Sequence, residues 1–333
     1  MKDVAQAAQV SIATVTRAIN GTGYVSAETR AKVEKAIKDL DYVPNKMAGI
    51  LKSHHSGILG SIVAPSRGNL FAPLISEAIT KHAAAIGYHI LTMLSDDDPH
   101  TEKTLMNDLF GRMVDGIILV GGVHSNPKDI QSIIDKGVPV IMIERPLTVQ
   151  GADKVLIDSF GGSATAADHI LRHGHTQIGF IGREKLRPVE IDRCEGFIQT
   201  LAQNGLTIEE SHCLLTEQYD PQQGYQAMKK MLSGKRRPSA VFISSDITAY
   251  GALQYLYHQG IRVPEDVSIV GYDNTFSAMT SPSITSVATP LEEIAKTVMQ
   301  LFRERKQERR RVAKSILLSP FLVQRGSVKN MKT

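Results

Sequence analysis

Beyond residue 57 the chain alternates between two patterns of hydrophobic and polar positions. Short runs rich in β-branched residues predict strands, and longer segments with an apolar residue every three to four positions predict helices. The predicted strands cover residues 58–64, 88–94, 116–120, 138–143, 154–157, 177–181, 240–244 and 267–271. The predicted helices cover residues 71–86, 101–113, 127–136, 161–173, 189–204, 221–233, 247–259 and 291–303. This alternation is typical of parallel sheets covered by helices, and its length exceeds one ordinary core, so we expect two α/β lobes.

The first 57 residues have no strand pattern and instead contain three short amphipathic segments, at 3–8, 12–20 and 27–40. Ser11 and Ser26 precede the second and third segments, where a serine caps a helix N-terminus. Apolar side chains at helical spacing predict a small core of Val4, Ala8, Val10, Val15, Ile19, Val33, Ile37 and Leu40. Because Pro44 disfavours helical geometry before it, we expect a helical domain over 1–44, a linker over 45–57 and a body over 58–333.

A tight turn at residues 9–11 joins the first two helical segments and predicts a helix-turn-helix. In this motif the second helix enters the major groove of DNA. Helical spacing turns Val15 and Ile19 inwards, which leaves an outer face of Ile12, Ala13, Thr16 and Arg17. The guanidinium of Arg17 fits guanine O6 and N7 bidentately, and contact with phosphate alone is the other interpretation.

The 333 residues are 42% hydrophobic and 22% charged, a composition that supports globular cores and excludes a disordered chain. No run approaches the roughly 18 apolar residues of a membrane span, and the N-terminus has no signal-peptide hydrophobic region. We therefore expect a soluble, cytoplasmic protein with no membrane partner. Cys194 and Cys213 lack ligand-like spacing and are expected to be buried or incidental thiols, with no metal site.

The net charge of +4 is unevenly distributed. Residues 1–57 carry +3, residues 58–302 carry −7, residues 303–311 carry +4 and residues 312–333 carry +4. Since net charge governs association rather than fold, the basic ends suit phosphate and the acidic body suits another partner. The 303–311 segment has two interpretations, contact with nucleic acid or an exposed helix end beside the negative pole of the helix dipole.

A specific pattern of residues runs through the N-terminal segment: Asp3-Val4-Ala5, VSIATVTRAIN at 10–20, Val25-Ser26 and Tyr42-Val43-Pro44-Asn45. It resembles the headpiece of the LacI/GalR family of bacterial transcription regulators. The resemblance implies that operator DNA is bound by Ser11, Ile12, Ala13, Thr14, Thr16, Arg17, Asn20, Asn45 and Leu51. It also implies a hinge helix in the linker that inserts Leu51 into the minor groove. Thr16 and Gly49 depart from the family pattern, where Ser and Arg are usual.

The resemblance continues through the body. Matching pieces include Asp115-Gly116-Ile117-Ile118, Gly174-His175, the run from Val263 to Asp273, and Arg325-Gly326-Ser327. They imply an α/β body of the periplasmic-binding-protein type I class, with parallel sheets in two lobes. The expected fold class is therefore a three-helix, helix-turn-helix headpiece followed by a two-lobe effector-binding and dimerisation domain.

Parallel sheets bind ligands at the carboxyl ends of their strands, which gives a set of candidate residues. These are Ser66, Ser95, Arg145, Asp158, Arg183, Asp246 and Asp273, joined by Arg193 from a helix start. Carboxylates and guanidinium groups suit the hydroxyl groups of a sugar, and Phe71 could stack on its ring. The alternative is that the aspartates cap helices and Arg193 forms an ion pair. The family resemblance implies ligand contact for Arg193, Asp246 and Asp273.

Two features bear on the ligand class. The chain has no Trp, and Ala72 follows Phe71 where the family often has a second aromatic residue, which disfavours a large, doubly stacked saccharide. Residues 183–187 (REKLR) could bind an anionic effector such as a sugar phosphate or sugar acid, or form a solvated loop.

Two other classes of protein compete with a regulator. An enzyme of this fold would carry a phosphate-binding or nucleophile motif, and no GxxxxGK[ST], GxGxxG or GxSxG occurs. A solute-binding transport protein would begin with a secretory signal. The sequence thus predicts a dimeric repressor of carbohydrate-metabolism genes that binds a small effector and needs no cofactor or catalytic residue.

Overall fold

The computed structural model of the protein describes residues 1–21, 23–42, 55–64, 70–145, 147–184, 187–306 and 312–332. The chain divides into two compact units, Met1–Ser56 and Gly57–Thr333, each with its own hydrophobic core. The predicted hinge helix, from Asn45 to Lys52, lies outside the described residues.

The first unit contains helices α1 (Lys2–Ala7), α2 (Ile12–Asn20) and α3 (Ala27–Asp39). Both predicted caps are confirmed: Ser11 Oγ accepts a hydrogen bond from the Thr14 N–H at 3.1 Å, and Ser26 Oγ accepts one from the Thr29 N–H at 3.2 Å. The chain reverses between α1 and α2 through a residue with left-handed φ of 53°, Gln9. These features build the predicted helix-turn-helix.

The small core of the first unit is richer in alanine than the sequence pattern predicts. Its buried members are Val4, Ala5, Ala8, Val15, Ala18, Val33 and Ala36. The prediction for Leu40 is wrong, because α3 ends at Asp39 and the side chain of Leu40 is 46% exposed. Small side chains at the contact positions allow three short helices to pack closely.

The second unit is built on two six-stranded sheets. The strands are β1 (Ile58–Val63), β2 (His89–Leu94), β3 (Gly116–Val120), β4 (Val140–Ile143), β5 (Asp153–Ile157), β6 (Ile178–Arg183), β7 (Cys213–Thr216), β8 (Ala240–Ile243), β9 (Ser268–Asp273), β10 (Thr285–Ala288), β11 (Ser315–Leu318) and β12 (Phe321–Val323). The first sheet has the order β11-β5-β4-β3-β1-β2 and defines the first lobe. The second has the order β12-β10-β9-β8-β6-β7 and defines the second lobe.

Helices cover both faces of each sheet. They are α4 (Phe71–Ala85), α5 (Pro99–Gly111), α6 (Pro127–Asp135), α7 (Ser159–Arg172), α8 (Pro188–Gln203), α9 (Pro221–Leu232), α10 (Asp246–His258) and α11 (Leu291–Lys306). The first sheet is parallel throughout, and in the second only the pairing of β12 with β10 is antiparallel. The eight predicted strands and eight predicted body helices are all present. Strands β7, β10, β11 and β12 were not predicted.

The chain passes between the lobes three times: after β5, after β10, and between β11 and β12. Helix α11 therefore packs in the core of the first lobe although it follows a strand of the second. Two of the crossing segments are joined directly, because the Asp158 N–H donates to the Leu318 carbonyl at 2.9 Å. In the described ranges, no helix is both long and apolar enough to cross a membrane.

The end of α11 is tied into the first lobe by ion pairs. Arg305 binds both carboxylate oxygens of Asp153, at 2.9 and 3.0 Å. Lys306 lies 2.9 Å from Asp115, whose other oxygen accepts a hydrogen bond from the backbone of Gly57 at 2.8 Å. Two basic residues of the 303–311 segment are thus engaged inside the body.

Candidate functional site

Helix α2 of the first unit presents a mixed surface. Val15 is fully buried and Ala18 is nearly so, whereas Ile12, Ala13 and Arg17 are exposed. This division matches the predicted inner and outer faces of the helix. A long guanidinium side chain on the exposed face can reach a base edge or a phosphate oxygen.

Two hydroxyl groups at the start of α2 are used within the helix. Thr16 Oγ1 donates to the Ile12 carbonyl at 2.8 Å, and Ser11 Oγ lies 2.9 Å from Thr14 Oγ1. The Thr16 hydroxyl is therefore bonded to the backbone of its own helix. The side chain of Asn20 and the whole of Asn45 and Leu51 lie outside the described residues.

A cleft between the two lobes of the second unit has a cavity volume of about 210 Å³. One water needs roughly 10–15 Å³ of cavity, so the cleft has room for a small organic molecule. It opens at the carboxyl ends of the parallel strands, where such folds bind ligands. Its walls include Ala64, Phe71, Ala72, Val120, Gly122, Val123, Glu144, Leu156, Ile157, Ser159, Arg187, Pro188, Val189, Glu190, Asp192, Arg193, Tyr219, Thr289 and Leu317.

Arg193 is fixed at the inner wall by the second lobe. Its Nη1 donates to the Ser244 carbonyl at 2.7 Å and its Nη2 donates to Asp273 Oδ1 at 2.8 Å. The guanidinium carbon lies 3.7 Å from the centre of the Tyr272 ring, a cation–π distance. The third guanidinium nitrogen, Nε, is buried without a hydrogen-bond partner among the described residues. Arg193 therefore offers a preoriented donor at the cleft.

Two glutamates of the cleft have pKa values above their ordinary range. Burial raises the pKa of Glu144 to about 7, against the hydrogen bond that its Oε1 accepts from the Ile157 N–H at 2.6 Å. Burial also raises the pKa of Glu190, whose Oε1 accepts from Arg183 Nη1 at 3.3 Å. Glu190 Oε2 is buried without a partner in the described part of the chain. Glu144 can therefore exchange a proton near neutral pH, and both carboxyl groups can accept hydrogen bonds.

Arg145 lies behind the cleft wall rather than on it. It is 1% exposed, pairs with Glu102 at 2.7 Å and donates to Ser125. A Cβ atom added to the wall residue Gly122 would lie 3.2 Å from Arg145 Nη2, and this nitrogen has no described hydrogen-bond partner. Glycine at position 122 therefore brings the wall close to a buried guanidinium.

The predicted aspartates occupy supporting positions. Asp273 orients Arg193 and accepts a hydrogen bond from Ser245 at 3.2 Å. Asp246 accepts from the Thr275 N–H and from the hydroxyls of Ser277 and Ser286, at 2.7 to 2.8 Å. Burial, then repulsion by Asp273, raises the pKa of Asp246 to about 6.

The remaining candidates divide between the wall and its supports. Phe71 lines the cleft, whereas Asp158 caps α7 by accepting from the Gly161 N–H at 2.8 Å. Arg183 lies behind Glu190, donates to the Glu217 carbonyl at 3.0 Å and sits 5.7 Å from the Tyr219 ring. Ser95 is fully buried, and Ser66 lies outside the described residues.

Several wall residues were not predicted from the sequence. Glu144 stands directly after β4, one position before the predicted Arg145, and has a left-handed φ of 54°. Glu190 and Asp192 lie near the start of α8, where the position of Arg193 was the available signal. Arg187, just before α8, belongs to the 183–187 segment that the sequence offered for an anionic effector. Tyr219 follows β7, a strand of four residues that the hydrophobic pattern did not reveal.

A helix-turn-helix unit joined to a two-lobe α/β body defines a DNA-binding transcriptional regulator. Two family models match the chain: "Bacterial regulatory proteins, lacI family" over residues 1–45 and "Periplasmic binding protein-like domain" over residues 167–328. The HTH-type transcriptional regulator DegA of Bacillus subtilis (strain 168) is 34% identical over 334 residues, which is 99% of this chain and 98% of DegA. The protein belongs to the lacI family of bacterial regulatory proteins.

Solved structures agree on the fold. The Lac repressor dimer bound to operator and the anti-inducer ONPF aligns with a TM-score of 0.85 at 24% identity, over 98% of both chains. The complex of the transcriptional regulator CelR with cellobiose aligns with a TM-score of 0.71 at 28% identity, again over 98% of both chains. The predicted fold class is confirmed. Because the family consists of transcriptional regulators, the prediction that the protein is not an enzyme is also confirmed.

Proposed function

We propose that the protein is a cytoplasmic repressor of carbohydrate-metabolism genes whose operator affinity is switched by a small sugar or sugar derivative bound in the cleft. The observation that carries this proposal is a pair of buried polar atoms on the cleft wall, Glu190 Oε2 and Arg193 Nε, without hydrogen-bond partners in the described chain. Leaving a buried polar group unpaired is costly, so the wall favours a ligand with hydroxyl groups. The cellobiose bound to CelR supports the same ligand class.

The charge balance of the cleft supports a neutral sugar over a sugar phosphate or sugar acid. Four arginines in or beside the cleft each face a carboxylate: Arg145 with Glu102, Arg183 with Glu190, Arg187 with Asp97 and Arg193 with Asp273. Glu144 and Asp192 also line the cleft. The described residues therefore give the wall no surplus positive charge for an anion.

The cavity size and the apolar wall residues support a small ligand. Phe71 offers an aromatic face to a sugar ring, and Val120, Leu156 and Leu317 extend the apolar surface. Glu144, Glu190 and Arg193 stand among these side chains as hydrogen-bonding groups. A sugar ring, with one apolar face and a rim of hydroxyl groups, combines the two kinds of contact.

In this proposal operator DNA is read by the exposed face of α2, with Arg17 as the principal base-reading side chain. Ser11, Ile12, Ala13, Thr14, Thr16 and Asn20 line the same groove, and Asn45 and Leu51 act from the linker. The effector changes operator affinity only by the difference in its own affinity for the two states of the body.

We also propose that the protein acts as a homodimer, since two-fold operators match two-fold proteins. Exposed apolar side chains in the second lobe support an interface with a second copy. Tyr250 is 42% exposed, Tyr257 83% and Met279 84%. The Lac repressor, which shares the fold, is a dimer on its operator.

Genomic footprinting with the full-length protein, with and without candidate sugars, tests the whole proposal. We expect protected sites with two-fold symmetry, and one sugar that changes their occupancy. Protection that no sugar alters would remove the carbohydrate effector and leave DNA binding intact.

Calorimetry tests the site itself. Titration with cellobiose, ribose, glucose and glucose 6-phosphate should give tight binding to a neutral sugar, and Glu190→Gln should weaken it about tenfold or more. Glu209→Gln is the matched control, because Glu209 pairs with Arg236 on the exposed surface. Binding of the phosphorylated sugar alone would mean that the cleft prefers an anionic ligand, which contradicts the argument from its charge balance.

A further inference from the structure

Asp97 has an unusual environment at the rim of the cleft. It follows β2 in the first lobe, and both Asp96 and Asp97 have left-handed φ values, 52° and 58°. Residues other than glycine rarely adopt this conformation, and such strain persists only where surrounding contacts enforce it. The backbone is therefore held in a specific shape that aims the Asp97 carboxylate.

Three donors of the first lobe fix this carboxylate. Asp97 Oδ1 accepts from the backbone N–H groups of Val123 and His124, at 2.8 and 3.3 Å. Asp97 Oδ2 lies 3.2 Å from His124 Nδ1. A Cβ atom at Gly122 would lie 2.9 Å from Oδ1, so the glycine makes room for the carboxylate. Asp97 is thus hydrogen-bonded to the loop that contains the wall residues Gly122 and Val123.

The partner of Asp97 across the cleft is Arg187. The Arg187 Nη2 atom lies 3.6 Å from Asp97 Oδ2, with the two side chains 22% and 15% exposed. Arg187 immediately precedes α8 of the second lobe and itself lines the cleft. Every other ion pair between described residues of the body joins two groups of the same lobe.

We infer that Asp97 and Arg187 form a latch across the mouth of the cleft, which holds the two lobes closed and positions Arg187 over the bound ligand. Because the pair is partly buried, salt screens its attraction less than that of a fully exposed pair. The pair can therefore bias a two-state equilibrium between open and closed lobes. A ligand that needs the closed state binds more weakly when that state is less populated. The effect on ligand affinity rests on the proposed effector site, whereas the effect on lobe closure does not.

The test measures the distance between the lobes without any ligand. Spin labels are placed at Lys128→Cys on α6 and Lys230→Cys on α9, both exposed, in a Cys213→Ser background where Cys194 is buried. Labelled chains are diluted into excess unlabelled protein so that only distances within one chain are read by double electron–electron resonance. Asp97→Asn removes the charge but keeps an oxygen for the backbone donors, and Arg187→Gln removes the other charge.

We expect each single variant to raise the open-to-closed ratio about fivefold, and the double variant to add little more, because either change removes the same interaction. Raising NaCl should shift the wild type towards the open state, by less than it would for a fully exposed pair, and leave Asp97→Asn unaffected, which a purely structural role of Asp97 does not predict. Arg262→Gln is the control, since its pair with Asp266 lies within one lobe. Unchanged distance distributions in both single variants, or strictly additive effects, overturn the latch.

Discussion

The Nη2 atom of Arg193 donates to Asp273 Oδ1 at 2.8 Å, although 80 positions separate the two residues in the sequence. Their side chains are each 7% exposed. Asp273 has a left-handed φ of 94°, so the backbone is strained at the residue that holds the arginine. This pair connects the end of β9 to α8 and fixes the inner wall of the cleft.

Neutralising Asp273 should therefore cost stability as well as ligand binding. Asp273→Asn keeps the shape of the side chain, and asparagine tolerates positive φ, so the change isolates the lost charge. We expect a loss of about 3 kcal/mol in the free energy of unfolding, because a buried guanidinium loses its counter-charge. Urea titration followed by circular dichroism measures it. Asp266→Asn, in an exposed pair with Arg262, should cost less than about 1 kcal/mol, and equal losses would contradict the argument.

Asp246 should give the protein a distinct pH dependence. Its pKa is raised by burial from 3.8 to about 6, so the folded protein binds this proton more tightly than the unfolded chain. The resulting stabilisation is fully present below pH 3.8 and is lost as pH rises through 6, with a magnitude on the order of 3 kcal/mol. Asp246→Asn should remove this component.

The measurement is the difference in unfolding free energy between wild type and Asp246→Asn across pH 4 to 7. Comparing the two proteins is necessary because other groups also titrate. Burial raises the pKa of Glu144 to about 7, with the same sign, and lowers that of His169 to about 4, with the opposite sign. Parallel pH profiles would show that Asp246 stays charged throughout.

Close helix packing in the second lobe should depend on glycine. A Cβ atom at Gly251 of α10 would lie 1.8 Å from the Pro221 carbonyl oxygen, and one at Gly224 of α9 would lie 2.0 Å from that of Thr248. Both neighbours are backbone atoms, which cannot rotate away. We expect Gly251→Ala to destabilise the protein by about 3 kcal/mol and to lower the melting temperature by several degrees.

Gly111→Ala is the matched control for this prediction. Gly111 ends α5 without a positive φ, and a Cβ atom added there would meet open space, with no neighbouring heavy atom within 4 Å. Alanine at this position should stabilise the helix by about 0.5–1 kcal/mol. Calorimetry measures the melting temperatures of both variants. An unchanged melting temperature for Gly251→Ala would mean that α9 and α10 can move apart.

In the first unit, Arg17 and Lys32 should play different parts in DNA binding. Arg17 is exposed on α2, and Lys32 is exposed on α3 in an ion pair with Glu28 at 2.8 Å. Arg17→Ala should cost about 1–3 kcal/mol of discrimination between operator variants, whereas Lys32→Ala should weaken all of them about equally. Fluorescence anisotropy on a set of single-base operator variants separates the two effects. Equal losses on every variant from both substitutions would remove the base-reading role of Arg17.

The sequence was most informative where long periodic segments decide the structure. Every body helix and eight of the twelve described strands were predicted, and Ser11 and Ser26 cap as expected. The missed strands lack such a pattern: β10 (Thr285–Ala288) is buried but rich in small residues, and β11 (Ser315–Leu318) has mostly exposed side chains at the sheet edge. These strands form because they pair with strands distant in the sequence, and such pairing leaves no local hydrophobic pattern.

The cleft was predictable in position but less so in detail. The strand ends indicated the edge of the sheets where the cleft lies, and Phe71 and Arg193 line its cavity. Glu144 lines the cleft in place of the predicted Arg145, and its left-handed backbone is not revealed by the residue type. Asp97 and Arg187 approach each other only through the arrangement of two lobes, which sequence spacing does not encode.

The three crossings between the lobes have a consequence for how the chain reaches this structure. Neither lobe is a continuous piece of sequence, since β11 completes the first sheet and β12 closes the edge of the second. Both sheets are therefore completed only by residues 315–323, which follow every other strand of the body in the sequence. Unlike proteins whose domains fold one after another during translation, this body can finish either lobe only once the chain through residue 323 has left the ribosome.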